Sequence, residues 1–71
     1  MKITDSASLG KAIRDRRKQL GYTQKYISDF TGLSVSFISD LENGKPTAEL
    51  EKTLAVVQFL SLDLFVEVRG A

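Results

Sequence analysis

The chain has no cysteine, no histidine and a single proline, Pro46. Without cysteine there can be no disulfide, and without either residue the usual zinc ligand sets are excluded. The same two absences remove the commonest general base and the commonest thiol nucleophile. Carboxylates are scattered along the chain and no glycine-rich phosphate loop is present, so the expectation is a binding protein, not an enzyme, with no cofactor and no small-molecule substrate. Long apolar runs are missing too. The N-terminal MKITDSASLGK is interrupted by charges, and nothing approaches a membrane span or a signal peptide. A soluble cytoplasmic chain without a membrane partner is expected, and the absence of cysteine fits a reducing compartment.

Seventy-one residues make one small domain, residues 1–71, with a thin core. Domains of this size are ordinarily stapled by a disulfide, a metal or a second subunit, and here only the subunit remains. The net charge of +1 is small, but it is unevenly spread. Residues 1–25 carry Lys2, Lys11, Arg14, Arg16, Arg17, Lys18 and Lys25 against Asp5 and Asp15, whereas residues 26–71 carry three cations against seven acids. One basic face and one acidic or neutral face follow, unless Arg14–Lys18 is simply the solvated side of a helix.

Caps and periodicity divide the chain into helices. Asp5 or Ser6 caps a first helix through Leu9, Ala12, Ile13 and Leu20, and Gly21 ends it. Thr23 caps a second helix with Ile27 inward, and Gly32 ends that. Ser34 caps a third with Ile38 and Leu41 facing the core, and Asn43-Gly44 terminates it. After Pro46, Thr47 is expected to cap a fourth helix running to about Leu60, with Leu50, Leu54, Val57 and then Leu60 as its apolar positions. From Leu62 the period shortens to two: Leu62, Leu64, Val66 and Val68 alternate with Asp63, Phe65, Glu67 and Arg69, which predicts a strand over 62–69. A lone strand on a helical domain needs partners for its N–H and C=O groups. Pairing with a second copy across a two-fold axis satisfies both copies at once, so a homodimer held by Leu62, Leu64, Val66 and Val68 is expected, with docking as a flexible tail the alternative.

Residues 23–43, two short helices about a glycine turn, follow the order of a helix-turn-helix, whose second helix presents its N-terminal side chains to the DNA major groove. Ser34, Val35, Ser36 and Ser39 are the candidate base contacts: serine hydroxyls can donate to or accept from base edges, and Val35 can pack on a thymine methyl. Ser34 also reads as a plain cap and Val35 as core. Gln24 and Lys25 open the second helix where a phosphate can bind; Asn43, Gly44 and Lys45 follow the third, where a backbone amide, an amide side chain and a cation can hold the next phosphate, or simply form a turn. Phe37 can brace the sugar-phosphate backbone or pack in the core or against a second subunit. Asp40 can accept from a cytosine amino group or simply face solvent.

The stretch IRDRRKQLGYTQ…GLSVSFISDLENGKP resembles the helix-turn-helix family of lambdoid phage repressors and Cro, the Xre family, over roughly residues 9–60. The resemblance implies an all-α bundle of four or five helices with residues 34–43 as recognition helix. It also implies phosphate binding by Gln24 and Asn43, and a structural ion pair between Arg17 and Glu42. The C-terminal ENGKPTAELEKTLAVVQFLSLDLFVEV resembles HipB-type antitoxins, whose strand pairs between subunits. That group implies a dimeric repressor of palindromic double-stranded operator DNA and a HipA-like kinase toxin as partner. Val35 and Ser36 stand where other members often have Gln, Lys or Arg, which shifts the expected readout toward DNA shape. The chain stops just after the strand, so neutralisation is expected to act through the folded dimer. A stand-alone phage or plasmid repressor, and more distantly a protein-interaction module, are the alternatives.

Overall fold

Asp5 starts the first helix. Its carboxylate accepts the Ser8 N–H at 2.8 Å while the Ser8 hydroxyl accepts the Asp5 N–H at 3.2 Å, a reciprocal capping box. The backbone N–H and then the hydroxyl of Ser8 hold the Asp5 carboxyl below its ordinary value, because both favour the ionised form. The computed structural model describes residues 1–70, in which four helices follow one another: α1 (Ser6–Gln19), α2 (Gln24–Thr31), α3 (Val35–Glu42) and α4 (Leu50–Phe59). The chain is all-α. α3 packs on α1 and α2, and α4 packs on α2.

Each helix gives branched aliphatic side chains to one core: Ile13 from α1, Ile27 from α2, Ile38 and Leu41 from α3, Val56 and Val57 from α4, and Leu60 just beyond it. Leu9, Leu20, Tyr22, Leu33, Phe37, Phe59 and Leu62 close its rim. The fourth helix differs from the sequence expectation. Glu49, not Thr47, is its N-cap, without a side-chain cap bond, and Leu50 in its first turn is exposed. Its inward stripe is Thr53, Val56, Val57 and Leu60. Val57 and Leu60 fall where the apolar spacing puts them, whereas Thr53 and Val56 take the places expected of Leu50 and Leu54, because an apolar pattern passes over a threonine. Burial of Thr53 is tolerated since its hydroxyl donates to the Glu49 carbonyl at 2.7 Å.

Arg16 ties the ends of the bundle together. Its Nε–H donates to the Leu60 carbonyl at 2.9 Å, placing a cation against the C-terminus of α4 where the helix dipole favours it. Beyond the turn at Ser61, residues 62–69 form no hydrogen-bonded strand in the single chain. The reason is physical: a strand needs a ladder partner, and among the described residues no backbone hydrogen bond involves residues 63–70. Leu62 is half-buried against the core, whereas Leu64, Phe65, Val66 and Val68 are exposed. The tail runs beside Met1–Thr4 across a groove of about 750 Å³. No helix among the described residues is long and apolar enough to cross a membrane.

Candidate nucleic-acid interface

The turn between α2 and α3 is set by three local decisions. Thr23 caps α2 by accepting the Tyr26 N–H at 3.0 Å. Gly32 ends α2 with φ of 77°, a left-handed conformation that would strain any side chain. Ser34 then caps α3, its hydroxyl accepting the Phe37 N–H at 3.0 Å. Between them Leu33 is half-buried on the core and donates its N–H to the Thr31 hydroxyl at 3.3 Å. With Ile38 and Leu41 buried, the opposite side of α3 is left to water. Ser34, Val35 and Ser36 are exposed there and Ser39 is half-buried one turn on, so the four predicted base contacts share the accessible start of one helix.

The angle of that helix is held by a buried polar node. Arg17 donates from Nε to Glu42 Oε2 at 2.6 Å and from Nη2 to Glu42 Oε1 at 2.9 Å, a two-pronged contact between α1 and the last residue of α3. Its third donor, Nη1, reaches the Tyr22 carbonyl in the α1–α2 connection at 2.9 Å. The Glu42 carboxylate hydrogen-bonded to it raises the Arg17 guanidinium above its ordinary range. Gln24, first residue of α2, donates one amide N–H to Glu42 Oε1 at 3.2 Å. The Arg17–Glu42 pair thus fastens α1, the first connection, α2 and α3. No buried side-chain polar atom among the described residues lacks a partner. Gln24 is thereby oriented at the N-terminus of α2 with a second amide N–H to spare.

After α3 the predicted phosphate cluster is rearranged. The N–H groups of Asn43, Gly44 and Lys45 all turn inward, to the carbonyls of Ser39, Leu41 and Asp40 at 3.0, 3.1 and 3.0 Å. The backbone amide expected to meet a phosphate here is therefore engaged, leaving the Asn43 side chain and the Lys45 ammonium. Gly44 serves geometry instead: φ is 80°, and a Cβ there would lie 2.8 Å from the Ala7 Cα of α1. Asp40 finds its partner in Lys45 at 3.4 Å, and Lys25 pairs with Asp29 at 2.9 Å. Both pairs are exposed, worth about 1 kcal/mol or less, so a phosphate can compete for either lysine. Phe37 is half-buried on the core rim, with the Lys52 ammonium 5.9 Å from its ring centre.

The N-terminal basic excess is smaller in the fold than along the chain. Arg16 and Arg17 are spent on Leu60 and Glu42, and Lys11 pairs with Asp15 at 2.7 Å. Among the described residues Lys2, Arg14 and Lys18 from this stretch stand without a carboxylate partner. Sequence reasoning also passed over an aromatic row: Tyr22, Tyr26 and Phe30 recur every fourth residue and cluster with Phe59, centroids 4.5 to 6.1 Å apart. The i, i+4 spacing was its signal.

Residues 13–65 match the Helix-turn-helix family. The chain belongs to this family, in its Xre/Cro form. It is a helix-turn-helix transcriptional regulator. Over 69 residues it is 35% identical to the "Uncharacterized HTH-type transcriptional regulator y4mF" of Sinorhizobium fredii, covering 97% of this chain and 91% of that protein. It is 31% identical over 64 residues to the "ImmF control region 10 kDa protein" of Bacillus phage phi105, covering 90% of this chain and 71% of that protein. Among solved structures it superposes on a chain of the HipA-HipB-O2-O3 complex with a TM-score of 0.90 and 26% identity, covering 99% of each. The Xre/Cro resemblance and the likeness to HipB both hold at the level of the whole regulator.

Proposed function

We propose that this regulator is a dimeric, operator-binding repressor that serves as the antitoxin of a HipA-like kinase toxin in the cytoplasm. The observation that carries the reading is the likeness to the HipA-HipB-O2-O3 complex, which spans the tail as well as the helix-turn-helix. Two copies of α3, related by a two-fold axis, enter successive major grooves of a palindromic site about one helical turn apart. Ser34, Val35, Ser36 and Ser39 meet base edges. Gln24, Lys25, Asn43 and Lys45 meet phosphates, and Phe37 and Gly44 shape the surface that carries them. The C-terminal strand 62–69 forms when two tails pair. The free Lys2, Arg14 and Lys18 add a field that makes affinity fall with salt.

The Ser36→Ala, Ser39→Ala double variant is expected to weaken operator binding about tenfold, the worth of one or two base-edge hydrogen bonds, while non-specific DNA is hardly affected. Gel-shift titrations on both DNAs read this out, and an equal loss on the two removes the base-reading role. Truncation after Leu62 keeps that residue on the core and removes the tail. Light scattering should then report monomers, and a truncated chain that stays a tight dimer refutes tail-mediated association. The phage phi105 relative favours a second reading, a stand-alone phage-type repressor with the same DNA chemistry. Co-purification of a kinase-like protein encoded in the neighbouring reading frame separates the two.

A further inference from the structure

The tail leaves its backbone unpaired and its apolar side chains in water: Val66 is 100% exposed, Phe65 85% and Val68 81%. Exposed apolar surface with an open row of N–H and C=O groups invites a pairing partner. Charge then decides how the partner aligns. Resting on the dimer reading above, we propose that two tails pair antiparallel with Val66 on the two-fold axis, so that Asp63 of each chain lies opposite the partner's Arg69.

A two-fold axis normal to the sheet makes the pairing symmetric about one point of the tail. Residues directly opposite share a face, so that point must be a residue. A centre between residues would set the Leu64–Val66–Val68 row against the partner's Asp63, Phe65 and Glu67. Four central residues then compete. Centring on Phe65 brings Asp63 opposite the partner's Glu67 twice, and centring on Glu67 brings the two Glu67 side chains together; like charges directly opposite destabilise a ladder. Centring on Leu64 gives a short ladder, since Ser61 with φ of 56° still belongs to the turn after α4. Centring on Val66 runs the ladder from Asp63 to Arg69, leaving out Leu62, whose N–H donates to the Val57 carbonyl, and Gly70, whose φ is 76°. It sets Leu64 against the partner's Val68 and makes the Asp63–Arg69 pair twice. Phe65 then lies diagonally beside the partner's Phe65 and Arg69, within reach of stacking and cation–π contact.

Because the chain has no cysteine, one introduced thiol reports its own neighbours. Leu64→Cys, Phe65→Cys, Val66→Cys and Glu67→Cys variants of the full chain are oxidised and run on non-reducing gels. Val66→Cys should give the cross-linked dimer at least about tenfold faster than the others, because only there do the two copies of one residue face each other. Asp63→Arg should raise the dimer dissociation constant about tenfold, and adding Arg69→Asp should restore it to within about threefold. A dimer by sedimentation equilibrium that cross-links best at another position overturns this register and leaves the dimer reading standing. A wild-type chain that stays monomeric throughout the micromolar range overturns both.

Discussion

Glu42→Ala is expected to lower the free energy of unfolding by about 3–5 kcal/mol, a large part of what a domain of this size possesses. The Glu42 side chain is 3% exposed and that of Arg17 12%, so removing the carboxylate strands a guanidinium that water can scarcely reach. It also frees Gln24 and unfastens the end of α3 from α1. Urea unfolding followed by circular dichroism measures the loss. Glu42→Gln, which keeps the volume and one acceptor, should lose less than Glu42→Ala. The decisive measurement is the cycle with Arg17→Ala. If the two residues act as a pair, the double variant loses clearly less than the two single losses added together, because neither charge is left alone. Additive losses would mean that the node does not couple α1 to α3. The charge on Arg17 is secure at any working pH. A folded-state pKa raised by Glu42 contributes stability that is complete below the unfolded value and is lost only in strong alkali, as pH rises through the folded one. A neutral-to-alkaline titration below that range should therefore show no transition from this group.

Three of the four helix starts were legible because each is announced by a short polar side chain that accepts from the backbone: Asp5, Thr23 and Ser34. The fourth was not. Glu49 makes no side-chain cap bond, so nothing local distinguishes it from Thr47, and the buried Thr53 broke the apolar period that would have fixed the inward face. At the candidate interface the exposure of Ser34, Val35 and Ser36 followed from Ile38 and Leu41 claiming the opposite face. What stayed hidden were the engagements of groups that read as free. The three amides after α3 close the helix end, and Arg16 closes another. Such contacts join residues that are remote in sequence, or depend on which of several donors turns inward, and neither carries a periodic signature. The tail is a different case. Its alternation is plain in the sequence, but among the described residues of the chain nothing pairs with residues 63–70, and the proposed dimer places that partner in a second copy.

Gly10→Ala should destabilise the domain by about 2–3 kcal/mol, although the same change in an exposed helix gains up to about 1 kcal/mol. Gly10 lies in the middle of α1, where a glycine is a liability unless something needs the space. Here α3 does. A Cβ on Gly10 would fall on the Leu41 carbonyl oxygen and lie 2.9 Å from the Glu42 carbonyl oxygen and 3.1 Å from its carbon. All three are backbone atoms at the end of a helix, so no side chain can swing away and the two helices must part. Separation of α1 from α3 also stretches the Arg17–Glu42 contact about two turns further along α1. Lost packing and a loosened ion pair therefore add to the overlap itself. Lys11→Ala, at the exposed neighbouring position, is the control and should change stability by less than about 0.5 kcal/mol, since it removes only a surface pair with Asp15. Thermal unfolding of the two variants beside the wild type decides the matter, and a Gly10→Ala chain as stable as the wild type would mean that α1 and α3 do not approach so closely. Operator binding should weaken with stability in this variant even though Gly10 touches no part of the proposed DNA surface. The helix proposed to read the bases is held at its far end by the same α1 backbone.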